Sequence, residues 1–572
     1  MGVCIRAAVV AAALVAYALP NASKAQSVTP SELENAARQG EQLLREQQQM
    51  LDERQRERDR QSQLPSGAEI NAAPAPPTNA PQSEGRCFEV RSLELVGGRR
   101  LPKKERKLLE REVVGQCIGV SELNELLRKI TYTYVARGYT TSRAYIPPQE
   151  GQSGKLTIVV VEGTVERIEV HPKGSASAAT AFPGMVGKVF NLRDAEQGID
   201  QLNRLGSNDA KLEIQPGSTP GSSVIAVSNT PGRRISGSLS LDNGGEPQTG
   251  DWQGTATLLA DDPLGLNDGF LVSHTRSDPS GPADSHSTSV NYSIPYGWWT
   301  GSFNFSDSDY ATLVRGVTQD FITSGTSRYA TLRLDRVAYR DKSRKLTVYA
   351  DVTRKDIENF VARQLIRASS RVLTVLDVDA NLSVAHGGTL WSFDAGASRG
   401  LPWFGGVRDP GNLPDGAPSA EYTRFTGDAS VSRGFQPFGI RTQLSSTVNT
   451  QWSNDTLYSS EQIGISGPYA VRGFRDVRLF GDRGLTWRNE LSFPFAFRAG
   501  SSPVSVRPFL GADYGRVWSH DTVPSAYLTG WTTGASVAIR RVNIQLSWSA
   551  AARRSASVPD DHMFFARFSV NL

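Results

Sequence analysis

An alternation with a period of two residues runs through the C-terminal part of this chain, over residues 235–572, and limits what that part can fold into. In one stretch Val290, Tyr292 and Ile294 alternate with asparagine and serine. Successive side chains of a β-strand point to opposite faces, so each such stretch predicts a strand with one apolar face and one polar face.

Two architectures can use strands of this kind. In a soluble sandwich the polar face meets water and the apolar face packs on a second sheet, whereas a membrane barrel is apolar outside and polar inside. Residues 231–572 are long enough for about 16 strands of the ~9–11 residues that a tilted spanning strand requires. Aromatic residues such as Tyr296 and Trp298 suit the girdles of a barrel. The sequence therefore predicts an all-β transmembrane barrel of about 16 antiparallel strands.

The N-terminal residues 1–25 are the long apolar segment of the chain. Arg6 precedes an apolar run over residues 7–19, and Ser23 and Ala25 are small residues at the positions that a signal peptidase reads. Residues 1–25 are therefore predicted to be a signal peptide that is removed on export. After it the longest strictly apolar run is residues 158–161, far below the ~18–20 residues of a membrane-spanning helix. Any passage through a membrane must then use a closed barrel.

Residues 26–86 contain a predicted helix and a predicted linker. Thr29, Pro30 and Glu32 form a capping-box pattern, and the segment 26–62 is rich in Glu, Gln, Arg and Leu. A helix this polar could lie in a water-filled lumen, but the pattern alone favours a solvated helix. Residues 63–86 are rich in proline and small polar residues, which is typical of a disordered linker.

Residues 87–230 read as two small α/β modules in tandem. In the first, over 87–163, Leu123, Leu126, Leu127 and Ile130 form an apolar stripe on a helix at 121–137. Flanking strand patterns give the order β-α-α-β-β. Residues 164–230 repeat this plan, with a helix over 192–205.

Two cysteines remain after the signal peptide is removed. They are Cys87 and Cys117, and an exported protein with two cysteines favours a disulfide between them. A pair of buried free thiols is the alternative.

Composition and motifs give no reason to expect an enzyme. The 62 basic and 58 acidic side chains give a net charge of +4, which does not point to nucleic acid. No phosphate-binding glycine loop, Cys-x-x-Cys, His-Glu-x-x-His or calcium loop occurs, so no nucleotide, cofactor or metal is expected. Asp284, Ser285 and His286 are adjacent in the sequence and cannot orient one another as a triad. No catalytic residue is therefore predicted.

The order of several short motifs resembles that of the two-partner secretion transporters, a family of barrels with periplasmic polypeptide-transport-associated (POTRA) domains. The resemblance covers essentially the whole mature chain. It is carried in the first module by Cys87-Phe88, Gly115-Gln116-Cys117-Ile118-Gly119, Ala136-Arg137-Gly138-Tyr139-Thr140-Thr141-Ser142-Arg143, Pro147-Pro148-Gln149, Gly154-Lys155-Leu156 and Val161-Glu162-Gly163, and in the barrel by Leu241-Asp242-Asn243-Gly244, Asp262-Pro263-Leu264-Gly265-Leu266-Asn267-Asp268 and Val471-Arg472-Gly473-Phe474. The last of these runs is the most specific.

The resemblance implies a site inside the barrel. It makes the helix at 26–62 a plug, and it places Arg472 at the tip of a loop around 464–484 that folds back into the lumen and is held by Asp513. The alternation agrees, because Leu510 and Ala512 fall on the apolar face and leave Asp513 inside. Glu490 also falls on an inward face. It could join this network or be one polar lumen residue among many.

The resemblance also implies a function and partners. The protein would translocate an unfolded exoprotein from the periplasm to the cell surface in two-partner (type V) secretion, with the POTRA domains capturing the cargo and the barrel forming the conduit. The implied partners are outer-membrane lipid and a large β-helical exoprotein of the adhesin or haemolysin type. An outer-membrane assembly factor is one alternative, but it usually has more periplasmic modules and no plug helix. A passive porin is the second, but it has no use for residues 26–230.

Overall fold

The structure is a computed structural model that describes most of the chain after residue 86. The described residues are 87–572 except 150–153, 247, 279–282, 316–319, 476, 478, 519–524, 556–557 and 560. The predicted signal peptide (1–25), plug helix (26–62) and linker (63–86) lie outside the described residues.

The first module packs two helices against a small mixed sheet. Its elements are β1 (Phe88–Glu89), β2 (Ser92–Gly97), α1 (Lys103–Val113), β3 (Cys117–Ile118), α2 (Val120–Ala136), β4 (Arg143–Tyr145) and β5 (Lys155–Val161). The sheet order is β2-β5-β4, and β1 pairs with β3 apart from it. The apolar stripe of α2, with Leu126 and Ile130, forms one buried core with Leu156 and Ile158 of β5. The predicted helix stripe is therefore the face that the module buries.

Cys87 and Cys117 form a disulfide with a Cα–Cα distance of 5.3 Å. Cys117 pairs in register with Glu89 in the short ladder of β1 and β3, so the disulfide lies beside that ladder. The favoured pairing of the two cysteines is confirmed.

The second module repeats the plan of the first. Its elements are β6 (Thr164–His171), α3 (Ala178–Ala181), α4 (Leu192–Asn203), β7 (Ala210–Pro216) and β8 (Ser222–Asn229). Asn191 caps α4 by accepting a hydrogen bond from the backbone N–H of Arg193 at 2.8 Å, which satisfies one of the free amides at the helix start. Ile199 of α4 packs in a buried core with Ile225 of β8.

Among the described residues, no helix is both long and apolar enough to cross a bilayer.

The remaining described residues form a closed antiparallel barrel with 16 wall strands. These are β9 (Ile235–Asp242), β10 (Gln253–Asp261), β11 (Gly269–Ser277), β12 (Asp284–Tyr296), β13 (Trp299–Arg315), β14 (Asp320–Arg340), β15 (Arg344–Val361), β17 (Arg371–His386), β18 (Thr389–Leu401), β19 (Thr423–Phe435), β20 (Thr442–Ser453), β23 (Arg483–Ser492), β25 (Ser502–Trp518), β26 (Ala526–Ile539), β27 (Val542–Arg554) and β28 (His562–Asn571). The predicted fold class and strand number are confirmed.

Short elements complete the barrel. They are β16 (Gln364–Leu365), which pairs with β15, β24 (Phe495–Ala499), which pairs with β25, the loop pair β21 (Ile463–Gly464) and β22 (Phe480–Gly481), and the 3-10 turns Pro437–Gly439 and Ser459–Glu461. Strand β28 pairs with β9, from Arg567 opposite Asp242 to Asn571 opposite Ser238, and this pairing closes the ladder.

The alternation of the wall strands separates an apolar outer face from a polar inner face. Phe303 of β13 and Leu332 of β14 are cross-strand partners, and both side chains are exposed on the outside. Their neighbours Ser302 and Arg333 pair on the inward side. A continuous apolar outer surface would be unfavourable in water, whereas lipid accommodates it.

The second module is seated on the barrel end at which β9 begins, called here the near end. Arg340, at the end of β14, donates from Nη1 to Asp200 of α4 and to Gln197 Oε1 at 3.1 Å. Asn267, between β10 and β11, donates from Nδ2 to the carbonyl of Ser177 at 2.7 Å and accepts from the Ser177 amide at 3.0 Å. Because the Arg340 side chain is almost fully buried, these bonds fix the module's orientation on the barrel.

The orientation of the wall predicts the effect of one charge on its outer face. Leu332→Arg should lower the free energy of unfolding in lipid by about 2–4 kcal/mol, because the arginine replaces a lipid-facing side chain. The measurement is the urea dependence of the heat-modifiable gel shift in liposomes. As a control, Ser289→Arg adds the same charge on the inward face of β12 and should cost much less. Equal losses for the two variants would contradict this orientation.

Candidate functional site

The chain between β20 and β23, residues 454–482, forms a long loop that folds against the inner wall. The short strands β21 and β22 pair Ile463 with Gly481 and Gly464 with Phe480, which closes the stem of the loop. Beyond the stem, Val471 and Phe474 are fully buried. The loop therefore packs on other parts of the barrel rather than extending into solvent. We call residues 454–482 the inward loop.

Arg472 attaches the tip of the inward loop to the wall. Its Nε donates to Asp513 Oδ2 at 2.7 Å, and its Nη2 donates to Asp513 Oδ1 at 2.9 Å. The backbone amide of Arg472 adds a third bond to the same carboxylate at 3.1 Å. A planar guanidinium that meets both carboxylate oxygens gives a directional, charge-assisted contact. Asp513 is buried, as the alternation along β25 predicts.

Glu490 on β23 shares the same guanidinium. Arg472 Nη1 donates to Glu490 Oε2 at 3.1 Å, and Nη2 donates to the carbonyl of Asn489 at 3.1 Å. Arg507 approaches the other oxygen of Glu490 at 3.8 Å. The sequence left open whether Glu490 joins the network, and the structure places it in direct contact with Arg472.

The apolar neighbours of Arg472 hold the loop tip by packing. Val471 and Phe474 belong to one buried cluster with Ile465 of the loop and with Val517 and Leu528 of the wall. Burying a valine or a phenylalanine side chain contributes about 1.5–3 kcal/mol each. The tip is therefore fixed both by charge pairing and by apolar contact.

Two glycines permit this close approach. Gly473 has φ +98°, a conformation that side-chain-bearing residues rarely adopt, and a Cβ there would lie 2.5 Å from the backbone carbon of Ala550. On the wall, a Cβ at Gly530 would collide with the carbonyl oxygen of Arg472. The glycine of the motif and a glycine of the wall together let the loop backbone reach the barrel.

A cavity of about 430 Å³ lies beside Arg472 inside the barrel. Its lining includes Arg488, Arg507 and Arg567 in addition to Arg472 and Glu490. Serine, threonine, asparagine and glutamine supply most of the rest. A lining of this kind offers many hydrogen-bonding groups to water.

A second charged contact of the inward loop was not predicted from the sequence. Glu461, in the first half of the loop, is buried between Lys355 of β15 and Arg424 of β19. Burial would raise the pKa of this carboxyl, but the two cations and the hydroxyl of Tyr422 lower it to about 2. The alternation along β15 and β19 places Lys355 and Arg424 on the inner face, so the sequence could have predicted these two residues. Glu461 lies in an irregular segment without a period, so no pattern in the sequence points to it.

These features define a class of protein: an outer-membrane barrel transporter with periplasmic POTRA domains. Residues 88–163 match the ShlB-type POTRA domain, and residues 164–216 match a POTRA domain. Residues 221–537 match the haemolysin secretion/activation protein family ShlB/FhaC/HecB, and this chain belongs to that family. The barrel lies in the bacterial outer membrane, and the POTRA domains are in the periplasm.

Similar proteins cover nearly the whole chain. The outer membrane transporter CdiB of Escherichia coli is 33% identical over 91% of this chain and 88% of its own length. The hemolysin transporter protein ShlB of Serratia marcescens is 30% identical over 98% of each chain. The solved structure of CdiB from Escherichia coli superposes with a TM-score of 0.82 at 31% identity, covering 96% of this chain and all of that one. CdiB from Acinetobacter baumannii, at 19% identity and a TM-score of 0.76, shares the fold.

The geometry at Arg472 predicts a loss of stability when the pair is broken. Arg472→Ala should lower the free energy of unfolding of the barrel by up to about 3–5 kcal/mol, because it leaves the buried Asp513 carboxylate without its partner, and by less where water reaches that carboxylate. The temperature midpoint of the heat-modifiable gel shift measures this.

The control for that measurement is Arg328→Gln. Arg328 and Asp307 form an ion pair at 3.1 Å that is largely exposed on both sides, so its loss should cost at most about 1 kcal/mol. Equal midpoints for Arg472→Ala and Arg328→Gln would show that the Arg472 contact does not stabilise the barrel.

Proposed function

We propose that this protein translocates an unfolded exoprotein from the periplasm to the cell surface, as one half of a two-partner secretion system. The observation that carries the proposal is the inward loop, which Arg472 fixes to the inner wall of a polar barrel above two periplasmic modules. A pore for small solutes has no need of capture modules. A loop that charge pairing and apolar packing fix at this place lies where a passing chain would meet it.

The two POTRA modules would capture the cargo by strand addition. Strands β2 and β4 are the edges of the first sheet. Strands β6 and β7 are the edges of the second, and the first residues of β6 are already paired with residues 187–189. An edge strand offers unpaired backbone groups to an extended peptide, so binding tolerates many sequences while neighbouring side chains add selectivity. An unfolded exoprotein is a partner of this kind.

The barrel would then serve as the conduit. Its inner wall is lined by residues such as Ser289, Asn304 and Thr331, which exchange hydrogen bonds with a passing backbone as water does. The periplasm supplies no ATP. Folding of the emerged cargo outside the cell gives the direction, because folded material cannot return through the bore.

The N-terminal segments complete the proposed mechanism. In this proposal residues 1–25 are the export signal, residues 26–62 are the helix predicted to plug the lumen, and residues 63–86 are the predicted linker that lets the plug withdraw. The motif run from Val471 to Phe474, Asp513 and Glu490 hold the loop in its resting position. The barrel residues act in transport, and we assign no catalytic activity to them.

We propose that the cargo is a large β-helical exoprotein of the adhesin or haemolysin type, and that the outer surface of the barrel contacts outer-membrane lipid. The printed name of the Serratia marcescens relative describes a hemolysin transporter, which supports a cargo of this class. The apolar outer side chains, with Phe303 and Leu332 among them, support the lipid contact.

Depletion of the protein separates secretion from barrel assembly. If the protein acts in secretion, its depletion should cause the loss of one surface exoprotein while the amounts of other outer-membrane proteins stay constant. Quantitative proteomics of the outer membrane and of the medium measures both. A general fall in outer-membrane barrels would instead assign the protein to the assembly factors.

Arg472→Ala should reduce export of the exoprotein several-fold at equal barrel level, because the loop tip loses its bonds to Asp513 and Glu490. Immunoblots of the medium and of the outer membrane give export per barrel. The matched control is Arg507→Ala. Arg507 lies on the wall strand β25, 3.8 Å from Glu490, so its loss removes a lumen arginine that is not part of the loop and should leave export close to normal. Undiminished export by Arg472→Ala would remove the loop from the mechanism.

A further inference from the structure

Glu461 is a buried carboxylate that takes no part in the attachment of the loop tip through Arg472. It lies at the end of the 3-10 turn Ser459–Glu461, in the first half of the inward loop, and its side chain has no exposed surface. An ionised group in such a place is costly unless several polar partners surround it. The partners of Glu461 therefore show what holds this part of the loop in place.

Both oxygens of the Glu461 carboxylate are paired with groups of the wall. Lys355 Nζ donates to Oε1 at 2.7 Å. The hydroxyl of Tyr422 donates to Oε2 at 2.6 Å, and Arg424 Nη1 donates to the same oxygen at 3.1 Å. Gln451 Nε2 donates to the backbone carbonyl of Glu461 at 3.0 Å. The carboxylate and the backbone at this one position are thus held by four residues outside the loop.

These partners lie on a different arc of the barrel from those of Arg472. Lys355 is on β15, and Arg424 is on β19, whereas Asp513 is on β25. Strands β17, β18, β19, β20 and β23 separate β15 from β25 along the wall. The inward loop is therefore attached to two neighbouring arcs of the wall, one from β15 to β20 through Glu461 and one at β23 and β25 through Arg472.

The stem joins these two attachments into one unit. Asp482, at the end of the loop, accepts from the Leu457 amide at 2.9 Å and from Gln462 Nε2 at 3.0 Å through the same oxygen. The pairing of β21 with β22 continues from there towards the tip. Since the segment around Glu461 is bonded to the returning strand of the loop, its position on β15 and β19 affects the whole stem.

We propose that Glu461 is a second positioning residue of the transporter, which holds the first half of the inward loop against β15 and β19 so that the loop lies across the bore. This inference rests on the proposed function of the loop in export. Loss of the Glu461 carboxylate frees the stem from that part of the wall while Arg472 keeps the tip on β25. The mouth of the bore beside β15 and β19 then becomes wider.

The test uses Glu461→Gln in the full-length protein, which keeps the size of the side chain and removes its charge. Single-channel current in planar bilayers should rise above that of the unchanged protein, and export per barrel should fall several-fold. A purely stabilising role would lower the barrel level or the gel-shift temperature, but it would leave the current through folded barrels unchanged. Rescue of both readouts towards normal is expected for Glu461→Asp, which restores the charge.

Arg333→Gln is the matched control. It removes an ion pair with Asp335 of β14 at 2.8 Å and a stacking contact with Tyr349 of β15, both within the wall, so current and export should stay normal. If Glu461→Gln fails to accumulate, Lys355→Gln removes one of the partner charges and leaves Arg424 in place, and the same rise in current is expected.

Normal current in folded barrels of either variant would overturn the inference. The current does not depend on cargo, so a failure of this inference can be told apart from a failure of the proposed function. A rise in current with normal export would keep Glu461 as an anchor of the pore but overturn its part in transport.

Discussion

The closure of the sheet is the constraint on which the rest of this structure depends. Inside a bilayer no water is available to pair with the backbone groups of an edge strand, so a sheet must close on itself. Here β28 pairs with β9 and completes a ring of 16 wall strands in the described part of the chain. Closure turns one face of every strand towards lipid and the other towards a bore. The polar inner face and everything bound to it follow from that.

Buried charged residues fix the position of the inward loop inside the polar bore of this barrel. Arg472 is shared between Asp513 and Glu490, and Glu461 is shared between Lys355 and Arg424. A buried ion pair adds little net stability compared with apolar packing, but it has a strict geometry. These contacts therefore specify where the inward loop rests. In the proposed mechanism, the polar bonds of the loop are exchanged for bonds to water or to the passing chain.

The near end of the barrel is built differently from the bore. The second module is joined to it by hydrogen bonds between Arg340 and Gln197 and between Asn267 and Ser177. Arg340 lies at the end of β14, Asn267 lies between β10 and β11, and Gln197 lies on α4. The proposed capture of cargo on this module would therefore place the cargo at the near end of the bore.

The sequence by itself determined the local features of this protein. The period of two predicted the barrel and the inward position of Asp513. The apolar stripe on α2 predicted the buried face of the first module, and the two cysteines predicted the disulfide. Each of these depends on residues close together in the chain or on a pattern that every strand repeats. The helices predicted over 121–137 and 192–205 begin and end within two residues of the observed Val120–Ala136 and Leu192–Asn203, because packing decides where a helix frays.

Apart from the contact between Arg472 and Asp513, which the family resemblance implied, only the tertiary structure decided which distant residues meet. Lys355 and Glu461 are 106 positions apart, and no local pattern connects them. Glu490 could have been an ordinary lumen residue until the loop was placed beside it. Closure of the barrel fixes which strands face each other across the bore, and an irregular loop then finds its partners by shape and charge. The physical reason is that strand periodicity determines the direction of a side chain but not what stands opposite it.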